Sequence, residues 1–175
     1  MASITPDQIA VYGTVGIVII LIIIIYFTRA TRRRIVGALA GGLAGGLVIA
    51  LTDFIASSLG LWHYPGITAY TQLEYYIPAA LLYGSGMALI GWRINRRFGI
   101  KGLMIFILLF GVYGSTRDFI VAATSSGSVI TYGPGIVPVI ADYLAWVGLL
   151  VIAQIAMWLV AGPAKDDRLA RTKTK

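Results

Sequence analysis

The sequence predicts an all-α integral membrane protein with five transmembrane helices. Its mean hydropathy is +0.86, and 12% of its 175 residues are charged, whereas about a quarter of the residues of an ordinary soluble domain are charged. Its apolar stretches are about 20 residues long, which is the length that a helix needs to cross the hydrocarbon core of a bilayer. The chain contains no cysteine, which excludes disulfides and thiolate metal sites.

The apolar stretches follow one another with short connections. The first is an almost unbroken run of Ile, Val and Leu, and the second opens with glycines at spacings of three and four. Such glycines let another helix approach closely, either a second copy or, as we favour, a helix of the same chain. Residues 1–164 are predicted to form a single transmembrane domain, and residues 165–175 a basic cytoplasmic tail. The spans are predicted at about residues 10–28, 35–58, 73–92, 103–123 and 137–161.

The basic residues predict the orientation of the chain. All Lys and Arg residues except Arg117 lie between the first and second spans, between the third and fourth spans, or in the tail. Because basic residues concentrate in cytoplasmic segments, the N-terminus is predicted outside and the C-terminus inside, in a plasma or inner membrane. The net charge of +7 is divided among these clusters and forms no basic stripe, so nucleic acid is not an expected partner.

An internal repeat is indicated by two similar segments. One begins with Asp53-Phe-Ile-Ala and has Tyr64 ten residues before Glu74; the other begins with Asp118-Phe-Ile-Val and has Tyr132 ten residues before Asp142. Both predicted hairpins begin and end on the cytoplasmic side, so the copies would be parallel and related by an axis along the membrane normal. Such a duplication brings the four acids towards one another.

These four acids are the candidate functional residues. Ionisable side chains on membrane-spanning helices usually face a partner or a water-filled cavity. Carboxyl groups held close together share protons or bind cations, and a neutral one can act as a general acid. The alternative is structural, with Asp118 paired to Arg117 and Asp53 placed at a helix end.

The outer loops supply aromatic residues and the only histidine. His63 lies between Trp62 and Tyr64, and without cysteine or further histidine it falls short of the usual zinc or copper ligand sets. The aromatic side chains fit the belt that lies at headgroup depth. Alternatively, their π faces line an isoprenoid groove or stabilise a carbocation. No metal and no cofactor is expected.

The chain resembles the membrane lycopene cyclase domain of carotenoid biosynthesis. The likeness lies in the basic segment Arg32-Arg33-Arg34 before a glycine-rich span, in Asp53, in the Gly60-x-Trp62-His63-Tyr64-Pro65 turn, in Glu74 and in the tandem halves. The resemblance implies protonation of a polyene end and stabilisation of the carbocation during ring closure, without a cofactor. It implies Glu74 as principal acid, with Asp53 and Asp118 as further catalytic carboxylates. The residues expected to bind the substrate are Trp62, His63, Tyr64, Tyr75, Arg117, Tyr132 and Asp142.

The sequence departs from that family in two respects, and other functions stay open. Gln72-Leu73-Glu74-Tyr75 has one glutamate where the family has a proline and paired glutamates, and two full halves would need six spans. We expect a protein that binds an isoprenoid or similar lipid and acts on it as a cyclase or isomerase. The alternatives are a non-catalytic subunit of a larger membrane complex, or a small transporter coupled to protons or cations. A homo-oligomer or association with other membrane subunits is compatible with each function.

Overall fold

The chain is a bundle of long helices joined by short connections. The computed structural model describes residues 6–65, 80–125, 127 and 129–164. The structure differs from the all-α prediction in one small β-sheet, which has two strands of two residues each. The elements, in order, are α1 (Pro6–Thr28), α2 (Arg32–Ser58), β1 (Trp62–His63), a π-helical segment (Ala80–Gly86), α3 (Met87–Thr124), β2 (Thr131–Tyr132) and α4 (Val137–Ala161).

The helices are those of a membrane protein. Among the residues that the structure describes, three helical stretches, Arg32–Ser58, Leu82–Thr124 and Val137–Ala161, are long and apolar enough to cross a membrane, and Val15–Thr28 is a shorter apolar helix. Large apolar side chains cover the outside of the bundle, among them Leu43, Leu47, Leu51 and Phe54 of α2. Such a surface suits hydrocarbon, because contiguous exposed apolar patches of this extent are rare on soluble monomers.

The junction of α1 and α2 is tight. The Thr28 hydroxyl donates to the Ile24 carbonyl at 2.7 Å, and Arg29 takes a positive φ of 52° that ends α1. Thr31 then caps α2 by accepting a hydrogen bond from the Arg34 backbone N–H at 3.3 Å. The arginines predicted to precede the second span therefore form its first helical turn.

Helix α3 turns back on itself at Gly99. This residue has φ 69° and ψ −170° within an otherwise helical stretch, a conformation that glycine adopts without steric cost. The two arms meet: a Leu103 methyl lies 3.1 Å from where a Cβ of Gly91 would be, and Arg117 donates to the Tyr83 hydroxyl at 2.8 Å. The predicted connection between the third and fourth spans is thus almost entirely helical. We call Ala80–Phe98 the first arm and Ile100–Thr124 the second arm.

A stripe of glycines on α2 packs against α4. A Cβ added at Gly37 would lie 2.7 Å from the Ala161 Cβ, and one added at Gly41 would lie 2.5 Å from the Ala153 carbonyl oxygen. At Gly45 the Leu149 carbonyl oxygen would be 3.3 Å away. The glycines therefore serve close helix packing within the chain, the interpretation that the sequence favoured.

The charged groups divide the bundle into two ends. The basic end comprises the α1–α2 junction, the Gly99 turn and the end of α4. Arg34 lies there and is 2% exposed. Its guanidinium donates to the carbonyl oxygens of Gly162 and Ala161 at 3.0 and 3.1 Å. Arg34 thereby satisfies carbonyls that α4 leaves without helical partners. The acidic end comprises the end of α2, the end of α3 and the start of α4, with the β1–β2 ladder.

The substitution Gly41→Ala is expected to lower the free energy of unfolding by about 1–3 kcal/mol, the usual cost of overfilling a packed interior. The added methyl group would meet the α4 backbone, which cannot move aside without separating the two helices. The measurement is the thermal unfolding midpoint of the detergent-solubilised protein.

Gly148→Ala is the matched control, because a Cβ at this α4 position would meet nothing within 4 Å. Its midpoint should stay equal or rise, since alanine favours a helix over glycine by up to about 1 kcal/mol. An equal loss of stability in both variants would contradict the role assigned to the Gly41 contact.

Candidate functional site

The acidic end is covered by two loops that pair with each other. β1 and β2 are antiparallel, with Trp62 opposite Tyr132 and His63 opposite Thr131. The ladder is extended by a hydrogen bond from the Gly133 N–H to the Leu61 carbonyl at 2.8 Å. The loop that follows α2 and the loop that follows α3 therefore hold each other over the helix ends.

Asp53 is held by the first of these loops. It is buried at the end of α2, and its Oδ1 accepts a hydrogen bond from the Trp62 indole N–H at 2.9 Å. The Trp62 ring is 2% exposed and packs with Ala56 and Ile130 in a small apolar cluster. The loop tryptophan thus fixes the carboxylate while shielding it from water.

Arg117 organises the second carboxylate. Its Nε donates to Asp118 Oδ1 at 2.9 Å, while the other carboxylate oxygen accepts from the Trp146 indole N–H at 2.8 Å. The guanidinium also donates to the Tyr83 hydroxyl at 2.8 Å and lies 5.1 and 5.0 Å from the Tyr83 and Trp146 ring centroids. These contacts satisfy both oxygens of Asp118 and combine an ion pair with cation–π attraction.

Asp142 and Tyr132 complete the site. Asp142 is 4% exposed and interacts electrostatically with Tyr132, Asp118 and Asp53. Its Oδ2 and the Tyr132 hydroxyl are both buried, and the two side chains interact with each other as a hydrogen-bonding pair. A buried carboxyl group that interacts with a buried phenol and with other carboxyl groups is typical of ligand and catalytic sites.

The Tyr132 phenol is held in its neutral form. Burial, together with the carboxylates of Asp142 and Asp118, raises its pKa well above the ordinary value of 10.0. The ring stacks on Phe119, with centroids 4.2 Å apart and planes 21° from parallel. Tyr132 is therefore a protonated donor over the whole physiological pH range.

The structure brings together most of the residues predicted for the site. Asp53, Asp118 and Asp142 lie at the acidic end with Trp62, Arg117 and Tyr132, as the preceding contacts show. His63 is exposed and Tyr64 is half-buried on the loop above them. Glu74 and Tyr75 lie outside the described residues, so the acid role of Glu74 stays a prediction.

Three residues of the site were not predicted from the sequence. Tyr83 and Trp146 contact Arg117, and Phe119 stacks on Tyr132. Trp146 follows Asp142 by one helical turn, a spacing that puts both on one face of α4. Tyr83 and Phe119 stand in apolar stretches where nothing marks them out.

The chemistry of the site is that of carboxyl groups and aromatic rings. Within residues 6–65, 80–125, 127 and 129–164, no group of three or more His, Asp or Glu side chains is placed to hold a metal ion. Three carboxyl groups and one arginine leave excess negative charge, which bound protons or a cationic species can balance. The rings of Tyr83 and Trp146 present their faces to Arg117, and Trp62 and Tyr132 pack beside each other in the loops above.

A double-mutant cycle tests the Asp53–Trp62 hydrogen bond. Trp62→Phe removes the N–H donor, and Asp53→Ala removes the acceptor. Because a hydrogen bond to a charged group contributes about 1.5–3 kcal/mol, the two losses in unfolding free energy should fail to add by about that amount. Asp53→Ala combined with Trp158→Phe at the opposite end is the control and should be additive. Additivity in both cycles would mean that the indole does not hold Asp53.

Spectrophotometric titration tests the state of Tyr132. Because its pKa is raised, wild type and Tyr132→Phe should form equal amounts of phenolate, read as absorbance near 295 nm, up to about pH 11. After denaturation, where every tyrosine ionises near pH 10, the wild-type chain should form one more phenolate than the variant. One extra phenolate in the folded wild type below pH 11 would contradict the buried, neutral phenol.

Comparison with known proteins adds no relative. No family model matches the chain, and neither a curated protein nor a solved structure matches it. The resemblance to membrane lycopene cyclases therefore stays a prediction from the residues quoted above. The function is argued below from the geometry and chemistry of the acidic end.

Proposed function

We propose that the chain crosses a plasma or inner membrane five times, with its N-terminus outside and its C-terminus in the cytoplasm. The spans would be α1, α2, the two arms on either side of Gly99, and α4. The gathering of Arg34, the Gly99 turn and Gly162 at one end supports this topology. Arg29, Arg32, Arg33, Arg93, Arg96, Arg97 and Lys101 belong to the same end, which the positive-inside rule assigns to the cytoplasm.

The proposed topology includes a duplicated hairpin. If Tyr64 corresponds to Tyr132, then His63 corresponds to Thr131 and Trp62 to Ile130. The ladder pairs His63 with Thr131, and Trp62 and Ile130 are both 2% exposed and share one cluster. A two-fold axis between the loops requires that equivalent central residues face each other, so this register supports the duplication.

The acidic end is proposed to bind an isoprenoid or similar lipid and to act on it by acid–base chemistry. The observation that carries this proposal is the buried pair of Asp142 and Tyr132, which interacts with Asp118 and lies among aromatic rings. The pair offers a proton donor and a proton acceptor, while the surroundings suit an apolar substrate. A membrane-embedded isoprenoid can reach such a site laterally, because the bundle is apolar on its outside.

The proposed reaction is a cyclisation that leaves the atom count of the substrate unchanged. A carboxylic acid, Asp142 or the predicted Glu74, gives its proton to a terminal C=C bond; a C–H bond forms and a tertiary carbocation is left. The next C=C bond attacks that cation to close the ring. A carboxylate then removes a proton to restore a C=C bond, so acid and base regenerate each other.

The surrounding groups have distinct proposed roles. Asp118, held by Arg117 and Trp146, faces the developing cation as a fixed partner. The rings of Trp62, Tyr83 and Tyr132 add π-electron density to the same cation. Asp53, held by Trp62, is a second carboxylate of this kind.

Expression in cells that accumulate lycopene tests this function. Extracted pigment should contain cyclised products of unchanged mass, separable by chromatography. Asp142→Asn and Glu74→Gln should each lower product formation by about 100-fold or more, because general acid–base catalysis contributes about 10²–10⁴-fold. Tyr113→Phe, an exposed position on the second arm, is the control and should keep full activity.

Native mass spectrometry of the gently solubilised protein separates this proposal from its rivals. A retained isoprenoid on a chain without foreign subunits supports the lipid site. Stoichiometric foreign subunits and no bound isoprenoid, together with no cyclised pigment, would overturn the proposal in favour of an accessory subunit. Proton-gradient-dependent flux in liposomes without pigment turnover would overturn it in favour of a transporter.

A further inference from the structure

The basic end contains a cavity that the proposed reaction does not use. Its volume is about 460 Å³, and it lies between the start of α2, both arms of α3 beside the Gly99 turn, and the end of α4. Cavities of about 300–1,000 Å³ are of the size that holds small molecules. The carboxylates of the acidic end do not contribute to its wall.

One side of the cavity presents hydrogen-bond donors. Trp92 is 1% exposed, and its indole N–H has no acceptor within the described part of the chain. The Arg34 guanidinium lies 5.1 Å from the centroid of the same ring and carries a permanent positive charge. The Gln154 amide already donates to the Ala88 carbonyl at 2.8 Å. A molecule bound here can therefore offer an acceptor oxygen to the Trp92 N–H, and the nearby guanidinium favours negative charge on it.

Further positive charge surrounds this side. Arg96 follows Trp92 by one helical turn, and its Nη1 is buried without a hydrogen-bond partner among the described residues. Arg33 approaches Gly162, which lies in the cavity wall: its Nη2 would be 3.5 Å from a Cβ there. Arg34 thus lines the cavity, with Arg33 beside its wall and Arg96 one turn from Trp92, and this positive charge favours an anion over a neutral acceptor.

The other side of the cavity is apolar and continuous with the outside of the bundle. Leu103 and Met157 form its inner part. Ile155 and Trp158 also line it and are 47% and 54% exposed on the surface that faces hydrocarbon. A ligand that satisfies both sides has an anionic head and an apolar chain.

We propose that the basic-end cavity binds one anionic phospholipid of the surrounding membrane. Its phosphate accepts the Trp92 N–H and faces Arg34, and an acyl chain leaves the cavity past Ile155 and Trp158. Basic pockets between helices on the cytoplasmic side are a recognised kind of anionic-lipid site. This inference is independent of the reaction at the acidic end.

Native mass spectrometry with added dioleoylphosphatidylglycerol, compared with dioleoylphosphatidylcholine, tests the proposal. The wild-type chain should retain one phosphatidylglycerol and bind phosphatidylcholine more weakly. Trp92→Phe keeps an aromatic ring beside Arg34 and removes the N–H together with part of the indole, so phosphatidylglycerol binding should weaken by about tenfold. Asn95→Leu, which fills part of the cavity wall without touching the Arg34 contacts, should also weaken it.

Arg97→Gln is the control for general attraction between a basic surface and an anionic lipid, because Arg97 is exposed and does not line the cavity. Thermal unfolding without added lipid checks that each variant is folded. The proposal is overturned if Arg97→Gln weakens binding as much as Trp92→Phe, or if both lipids bind equally. Displacement of the lipid by millimolar inorganic phosphate would show a small-anion site and would also overturn it.

Discussion

The close packing of α2 on α4 is the constraint on which the rest of the structure depends. Gly37, Gly41 and Gly45 remove side chains at successive turns, so the two backbones approach until carbonyl oxygens of α4 fill the space. The two helices are antiparallel, so each step along α2 towards its end is matched by a step along α4 towards its start. Continued along both helices, this register puts Asp53 level with Asp142, in keeping with their electrostatic interaction. The glycines at the basic end thus determine the arrangement of carboxylates at the acidic end.

The two ends are stabilised by different chemistry. At the basic end Arg34 of α2 donates to backbone carbonyls at the end of α4, so a charged side chain holds the two helices together. At the acidic end indole N–H groups of Trp62 and Trp146 bind carboxylates. An indole is well suited to this position, because it donates one hydrogen bond while its ring excludes water.

Much of the fold could be predicted from the sequence, because membrane helices are recognisable as long, continuous stretches of apolar residues. The predicted span at 137–161 coincides with Val137–Ala161, and the span at 10–28 ends with α1 at Thr28. The Gly99 turn was harder to predict, since its basic flanking residues look like a loop yet are helical. A single glycine with positive φ suffices to reverse the chain, and the sequence does not show which of several glycines takes that conformation.

The candidate site was predictable in its charges and less so in its aromatic partners. Buried acids are conspicuous in an apolar sequence, and Asp53, Asp118, Asp142 and Arg117 stood out for that reason. Tyr83 and Phe119 did not, because an aromatic residue in a membrane span looks the same whether it faces lipid or a guanidinium. The β1–β2 pairing was also missed, since two-residue strands have no periodicity that a sequence can reveal.

The four tryptophans of the chain are divided evenly between the two ends. Trp62 and Trp146 hold carboxylates at the acidic end, while Trp92 and Trp158 line the cavity at the basic end. Intrinsic tryptophan fluorescence can therefore be assigned to one end of the bundle. A variant that keeps one pair of tryptophans and has phenylalanine in place of the other pair reports on a single end. Events at the two ends of the bundle can be followed separately with two such variants, without any attached label.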